Sequence, residues 1–180
     1  MTPIARPAEN EHAPYYTGYI DAAEASLSQR GLADVVALLE AQTADWQALM
    51  AAVPEAAASH AYAPGKWTLG ESLVHVSDTE RVFAYRLLRI ARGDGTPLPG
   101  FEQDDWVPTS RAGRRSLADI LAELYAVRAA TLALVRSLDD EAIGQRGVAS
   151  GKDVTARALV WMIAGHMQHH FGLTRDKYLG

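Results

Sequence analysis

The stretch PGKWTLGESLVHVSDTERVFAYRLLRIARG, Pro64 to Gly93, decides the fold class. Thr68 followed three positions later by Glu71 is a capping box, in which two side chains satisfy free backbone donors in a helix's first turn. Leu73, Val76, Glu80, Phe83 and Leu87 then recur at three and four, the period of one helical face. The segment predicts a helix of roughly 25 residues, ~38 Å long at 1.5 Å per residue. Leu32, Val35, Leu39, Trp46, Leu49 and Val53 repeat the pattern, stopped by Pro54, and predict a helix over 32–53. Ser116 and Asp119 open a third through Leu121, Leu124, Thr131, Leu134 and Leu138. A fourth runs from about Asp153 to Tyr178 with Leu159, Met162, Ile163, His166, His170 and Leu173 on one face. The 32 alanines favour helix, because Ala loses no side-chain entropy there. Four amphipathic stripes, each needing burial, predict an all-α four-helix bundle.

The connection between the second and third helices, Asp94 to Arg115, is far longer than the two to eight residues usual between antiparallel neighbours. Such a link can return along the bundle, so it predicts a parallel pair and up-down-down-up topology with a long crossover loop. Pro97, Pro99, Gly100, Phe101 and Trp106 make that loop a packed cover and a candidate pocket wall. Residues 1–30 read as an N-terminal arm packing on the bundle, and 31–180 as the bundle domain.

The 180 residues include 17 Lys+Arg, 22 Asp+Glu and 48% hydrophobic residues, and the net charge is −5. A chain of this size buries ~70% of its unfolded surface without disulfides or structural metals. It contains no Cys, which excludes disulfides, thiolate zinc sites, iron–sulfur clusters and a cysteine nucleophile. The acidic balance argues against a nucleic-acid partner, since a polyanion requires a basic face. The local cluster Arg111, Arg114 and Arg115 reads as a solvated loop and helix entry, with contact to an anionic ligand as the alternative. No apolar run approaches the ~20 residues of a membrane span. Met1 to Tyr16, with Glu9, Glu11 and three prolines, lacks the pattern of a signal peptide. No membrane association and a cytoplasmic location are the resulting expectations.

Six histidines remain as potential ligands. His12 and His60 fall in expected loops. His166 and His170, four apart, project from one helical face and can reach one ion. His75 lies ~10 Å along its helix, and His170 ~12 Å from the end of its own, so antiparallel packing would put all three rings at one height. Three buried imidazoles without a carboxylate or a metal would each need hydrogen-bond partners and could not readily become charged. A divalent cation removes that difficulty, and three His ligands with open positions characterise a catalytic site. Against this, a single His on an apolar face is more often a satisfied core residue, and the spacing of His166 and His170 alone is a weak motif. His169, rotated by about 100°, is expected to face a neighbouring helix or solvent and is a candidate neighbour of the site or its pocket.

Other polar residues also lie on core faces. Glu80 and Arg128 predict a structural ion pair with each other or with Arg157, because a buried charge is rarely left unpaired. Glu71, one turn before His75, is a candidate to orient that ring, although its capping role explains it equally well. Trp67 and Trp106 flank the expected site as pocket candidates, with loop anchoring as the alternative.

The run Tyr62-Ala63-Pro64-Gly65-Lys66-Trp67-Thr68-Leu69-Gly70-Glu71 through His75 and Asp78-Thr79-Glu80-Arg81, with Gly165-His166-Met167-Gln168-His169-His170, resembles the DinB-like (DinB/YfiT) superfamily. The likeness covers about Gly31 to Leu179. It implies an up-down-down-up bundle, often a homodimer, that binds nickel or zinc through His75, His166 and His170. It also implies metal-dependent hydrolysis of a small molecule, or transfer or isomerisation dependent on a low-molecular-weight thiol. Met167 departs from the acidic residue common at that position. A non-enzymatic helical stress or interaction protein, with an opportunistic or regulatory metal site, is the alternative expectation.

Overall fold

The structure, a computed structural model, describes residues 2–180. Its helices are α1 (Thr17–Arg30), α2 (Val35–Met50), α3 (Leu69–Ala91), α4 (Gln103–Thr109), α5 (Leu117–Arg136), α6 (Asp140–Gly144) and α7 (Ala156–Leu173), the last extended by a π-helical turn, Thr174–Tyr178. A hairpin of β1 (Arg146–Ala149) and β2 (Lys152–Thr155) precedes α7. Among the described residues, no helix is long and apolar enough to cross a membrane.

Side-chain pairs fix the helix directions. Gly70 lies against Ile120 and Glu80 pairs with Arg128, so α3 and α5 are parallel. Glu55 accepts from the Leu117 amide while Glu40 pairs with Arg136, so α2 runs antiparallel to α5. Gln42 reaches the Ala164 carbonyl and Trp46 meets Phe171, making α2 and α7 parallel. The four long helices are therefore up-down-down-up, with residues 92–116 crossing between the parallel pair. The first thirty residues contribute α1, whose Ile20 and Ala23 are buried.

Capping explains most helix boundaries and corrects two expectations. The first bundle helix spans Val35–Met50 rather than 32–53, because the Asp34 carboxylate accepts from the Val36 and Ala37 amides at 3.0 and 2.9 Å. The last starts at Ala156, not near Asp153. Ser150 and Gly151 take left-handed φ values of 53° and 71° in a two-residue hairpin turn, which draws 152–155 into β2. Thr155 then caps α7 through the Ala158 amide. Thr68 and Glu71 form the expected capping box on α3.

Two apolar clusters fill the bundle, one around Leu39, Leu87 and Leu159 and the other around Leu73, Leu124 and Met167. They meet at Thr79 and Glu80 on α3 and at His166 on α7, where buried polar side chains replace apolar ones. There Arg128 donates Nε and Nη2 to the two Glu80 oxygens at 2.8 and 2.7 Å, and Nη1 to Gln42 Oε1 at 2.8 Å. Gln42 in turn donates to the Ala164 carbonyl, so one network ties all four long helices. Arg157 takes no part in it and pairs with Glu11 instead.

Candidate metal centre

Antiparallel packing of α3 on α7 brings His75, His166 and His170 together, each about 5% exposed or less. One ring nitrogen from each lies within 4.8 Å of the others, and the Nε2 atoms of His75 and His166 are 3.2 Å apart. Two ligands 2.0–2.1 Å from a tetrahedral zinc would be about 3.3 Å apart, so this pair has the spacing of two ligands on one ion. Among the described residues this is the one group of three or more His or carboxylate side chains so placed.

The protonation states suit coordination. Burial pushes His75 down to about 4, opposed by the nearby Asp104 charge. Burial also holds His166 and His170 well below the usual imidazole range, and the neighbouring histidines reinforce the shift. All three rings are thus neutral near pH 7, the form that ligates metal. The Thr79 hydroxyl stands 3.4 Å from His75 Nδ1 and the Ser72 hydroxyl 3.4 Å from His170 Nδ1. These contacts leave Nε2 of each ring for the centre. No carboxylate or thiolate shares the cluster, so the donor set fits a borderline cation such as zinc or nickel better than magnesium or calcium.

Two cavities, about 580 and 540 Å³, open onto the cluster. His75 and His170 line the larger, with Trp67, Ser72, His169 and Tyr178; His166 lines the smaller, with Thr79 and Phe83. Tyr19, Gln103 and Asp104 border both, so α1 and α4 supply the remaining walls. Trp67 packs on His75 with ring centroids 4.8 Å apart, and its carbonyl accepts from Tyr178 Oη at 2.7 Å. Tyr19 meets His166 edge-on at 5.4 Å and also contacts His169.

Two of the sequence candidates lie elsewhere. The Glu71 carboxylate accepts from the Thr68 amide and hydroxyl, so it serves the helix cap while Thr79 occupies the place beside His75 Nδ1. Trp106 packs at a tilt against Phe101 and lines a separate groove. His12 and His60 are not members of the three-residue cluster. Tyr19, Asp104, Ser72 and Thr79 are the site neighbours the sequence reading did not single out. Thr79, four after His75 on the same face, had a usable spacing signal; Tyr19 and Asp104 reach the site only through tertiary packing.

Fold and site define a helical bundle with a buried three-imidazole cluster beneath open cavities. The profile of the DinB superfamily matches residues 5–173, and the chain belongs to that superfamily. Among solved structures it is similar to YfiT from Bacillus subtilis, described as a probable metal-dependent hydrolase with an unusual four-helix bundle topology. That match has a TM-score of 0.69 at 16% identity, over 95% of this chain and 92% of that one. It is also similar to a mycothiol-dependent maleylpyruvate isomerase, with a TM-score of 0.65 at 15% identity over 77% of this chain. The match spans 58% of the isomerase's length. No curated protein matches. At these identities the structural likeness establishes the fold.

Proposed function

We propose that the chain is a metal-dependent enzyme in which His75, His166 and His170 hold one divalent cation, nickel or zinc, for the conversion of a small molecule. The convergence of three buried, neutral imidazoles beneath an open cavity carries this reading. When bound, such a cation supplies Lewis acidity to water or to the sulfur of a low-molecular-weight thiol. Ser72 and Thr79 orient the imidazoles, Trp67 and Tyr19 wall the cavity, and Asp104 offers a carboxylate oxygen to accept a proton there. The chain has no Cys, so any sulfur taking part arrives with a cosubstrate.

YfiT's description as a probable metal-dependent hydrolase supports the water route, and the mycothiol-dependent isomerase supports the thiol route. Cavities of this size weigh against a purely structural role for the cluster, because a closed structural site has no need of substrate space. Elemental analysis of the purified protein and of single His→Ala variants tests the site. One equivalent of metal, lost in each variant, is the expected outcome. Stoichiometric metal retained through all three substitutions would overturn the reading. A conjugation electrophile offered with and without a thiol then separates transfer from hydrolysis.

A further inference from the structure

Two arginines on the inner faces of the bundle, Arg128 and Arg86, are each only 2% exposed, and they are neutralised differently. Arg128 has the Glu80 carboxylate. Arg86 makes no ion pair among the described residues. Its Nη2 donates to the Pro99 carbonyl at 2.7 Å and to Ser150 Oγ at 2.9 Å, and its guanidinium lies over the Phe83 and Phe101 rings. The Tyr16 hydroxyl is also within its hydrogen-bonding reach, but a phenol neutral at pH 7 is no counterion. Nη2 is thus taken up by Pro99 and Ser150, and among the described residues no carboxylate pairs with Nε or Nη1. Removing a cation from water without a partner is costly, and the guanidinium's natural partner is a carboxylate.

Arg86 lines a groove of about 390 Å³ whose other walls are mainly apolar, among them Val82, Leu98, Phe101 and Trp106. Asp78 and Arg81 also border it, but they pair with each other and Arg81 with Glu123. Arg86 is thus the uncompensated charge of the groove. Trp106 stands at its edge, 42% exposed, an aromatic surface left to water. Ser150, held at a left-handed φ of 53° where Gly is favoured, supplies the hydroxyl that fixes one edge of the guanidinium.

We propose that this groove binds a small organic carboxylate with an aromatic or alkyl body. Its carboxylate is the missing counterion of Arg86, accepting from an N–H that Pro99 and Ser150 leave free, and its apolar part lies against Phe101 and Trp106. The groove is distinct from the three-histidine cluster, with Gly100 and Phe101 forming the wall it shares with the His166 cavity. Binding there requires no ion.

Calorimetric titration of the chelator-treated full-length protein tests the site, since without metal a carboxylate cannot bind by coordination. The probes are phenylacetate against phenylacetamide, and hexanoate against hexanamide. In at least one pair the acid is expected to bind about tenfold tighter than its neutral amide, the scale of a charge-assisted hydrogen bond. Arg86→Gln should abolish that preference. Trp106→Ala, at an exposed position, should weaken acid and amide by similar factors, and it keeps the test decisive where Arg86→Gln fails to fold. Equal binding of acid and amide in both pairs, or no binding of either acid, would overturn the proposal. So would an undiminished preference in a folded Arg86→Gln protein, or unaltered binding to Trp106→Ala.

Discussion

A β-carbon at Gly165 would lie 1.9 Å from the carbonyl oxygen of Tyr19. The missing side chain lets the backbone of α1 press against α7, one residue from His166, and brings the Tyr19 ring to the edge of that imidazole. Gly165→Ala must separate the two helices, because the obstructing atom belongs to the backbone and cannot rotate away. Despite alanine's better helix propensity, the variant is expected to lose about 1–3 kcal/mol or more by overpacking. Urea denaturation reads this directly, and an unchanged midpoint would contradict the contact.

Glu80 and Arg128 form a buried ion pair that also engages α2 through Gln42. Glu80→Ala leaves the guanidinium with only neutral acceptors, and breaking such a pair on one side costs about 3–5 kcal/mol. The double variant Glu80→Leu, Arg128→Met removes the stranded charge and should recover part of that loss. Both are measured by chemical denaturation. A double variant no more stable than Glu80→Ala would show that the network's remaining hydrogen bonds, rather than charge compensation, hold the four helices.

The metal-free protein should be acid-sensitive because of its histidines. Burial pushes His75 down to about 4 in the folded chain, against an ordinary value of 6.5, and His166 and His170 shift in the same direction. Between those values the unfolded chain binds more protons than the folded one, so stability rises with pH across the window. The contribution is complete above about pH 6.5 and is lost as pH falls through 4. Thermal melts of chelator-treated protein from pH 7 to 4 should therefore show a falling midpoint. The slope should be shallower in His75→Phe, which has no proton to gain there; an identical slope would assign the sensitivity to other groups.

Much of this architecture was readable in the chain. The capping box at Thr68 and Glu71, the heptad-like spacing through Phe83 and Leu87, and the long link before Ser116 report local physics, and the bundle and its topology follow from them. The four-residue interval between His166 and His170 is equally local, whereas His75 joins them only through the antiparallel packing of its helix on theirs. The hairpin at 146–155 was missed because Ser150, not a glycine, opens its left-handed turn, and Asp153 can equally well start a helix. α1 escaped notice because its apolar residues form only a faint stripe. Its role at the site depends on Gly165, a residue of another helix nearly 150 positions away. Arg86 was likewise illegible: its sequence neighbours do not show that the carboxylate satisfying Arg128 has no equivalent beside it.

On the proposed metal reading, the hydroxyls beside the outer ring nitrogens make a final, separable prediction. Thr79 and Ser72 stand at Nδ1 of His75 and His170, whereas Glu71, one turn from His75, is committed to the α3 cap. Groups that hold a ligand's second nitrogen typically change metal affinity by about 10–100-fold when removed. Thr79→Val and Ser72→Ala are therefore expected to weaken zinc or nickel binding by that order, read by competition with a chromogenic chelator. Glu71→Ala should instead leave affinity unchanged while it loses about 1 kcal/mol of stability with the cap. Intact affinity in both hydroxyl variants, with a loss in Glu71→Ala, would move the orienting role back to the carboxylate.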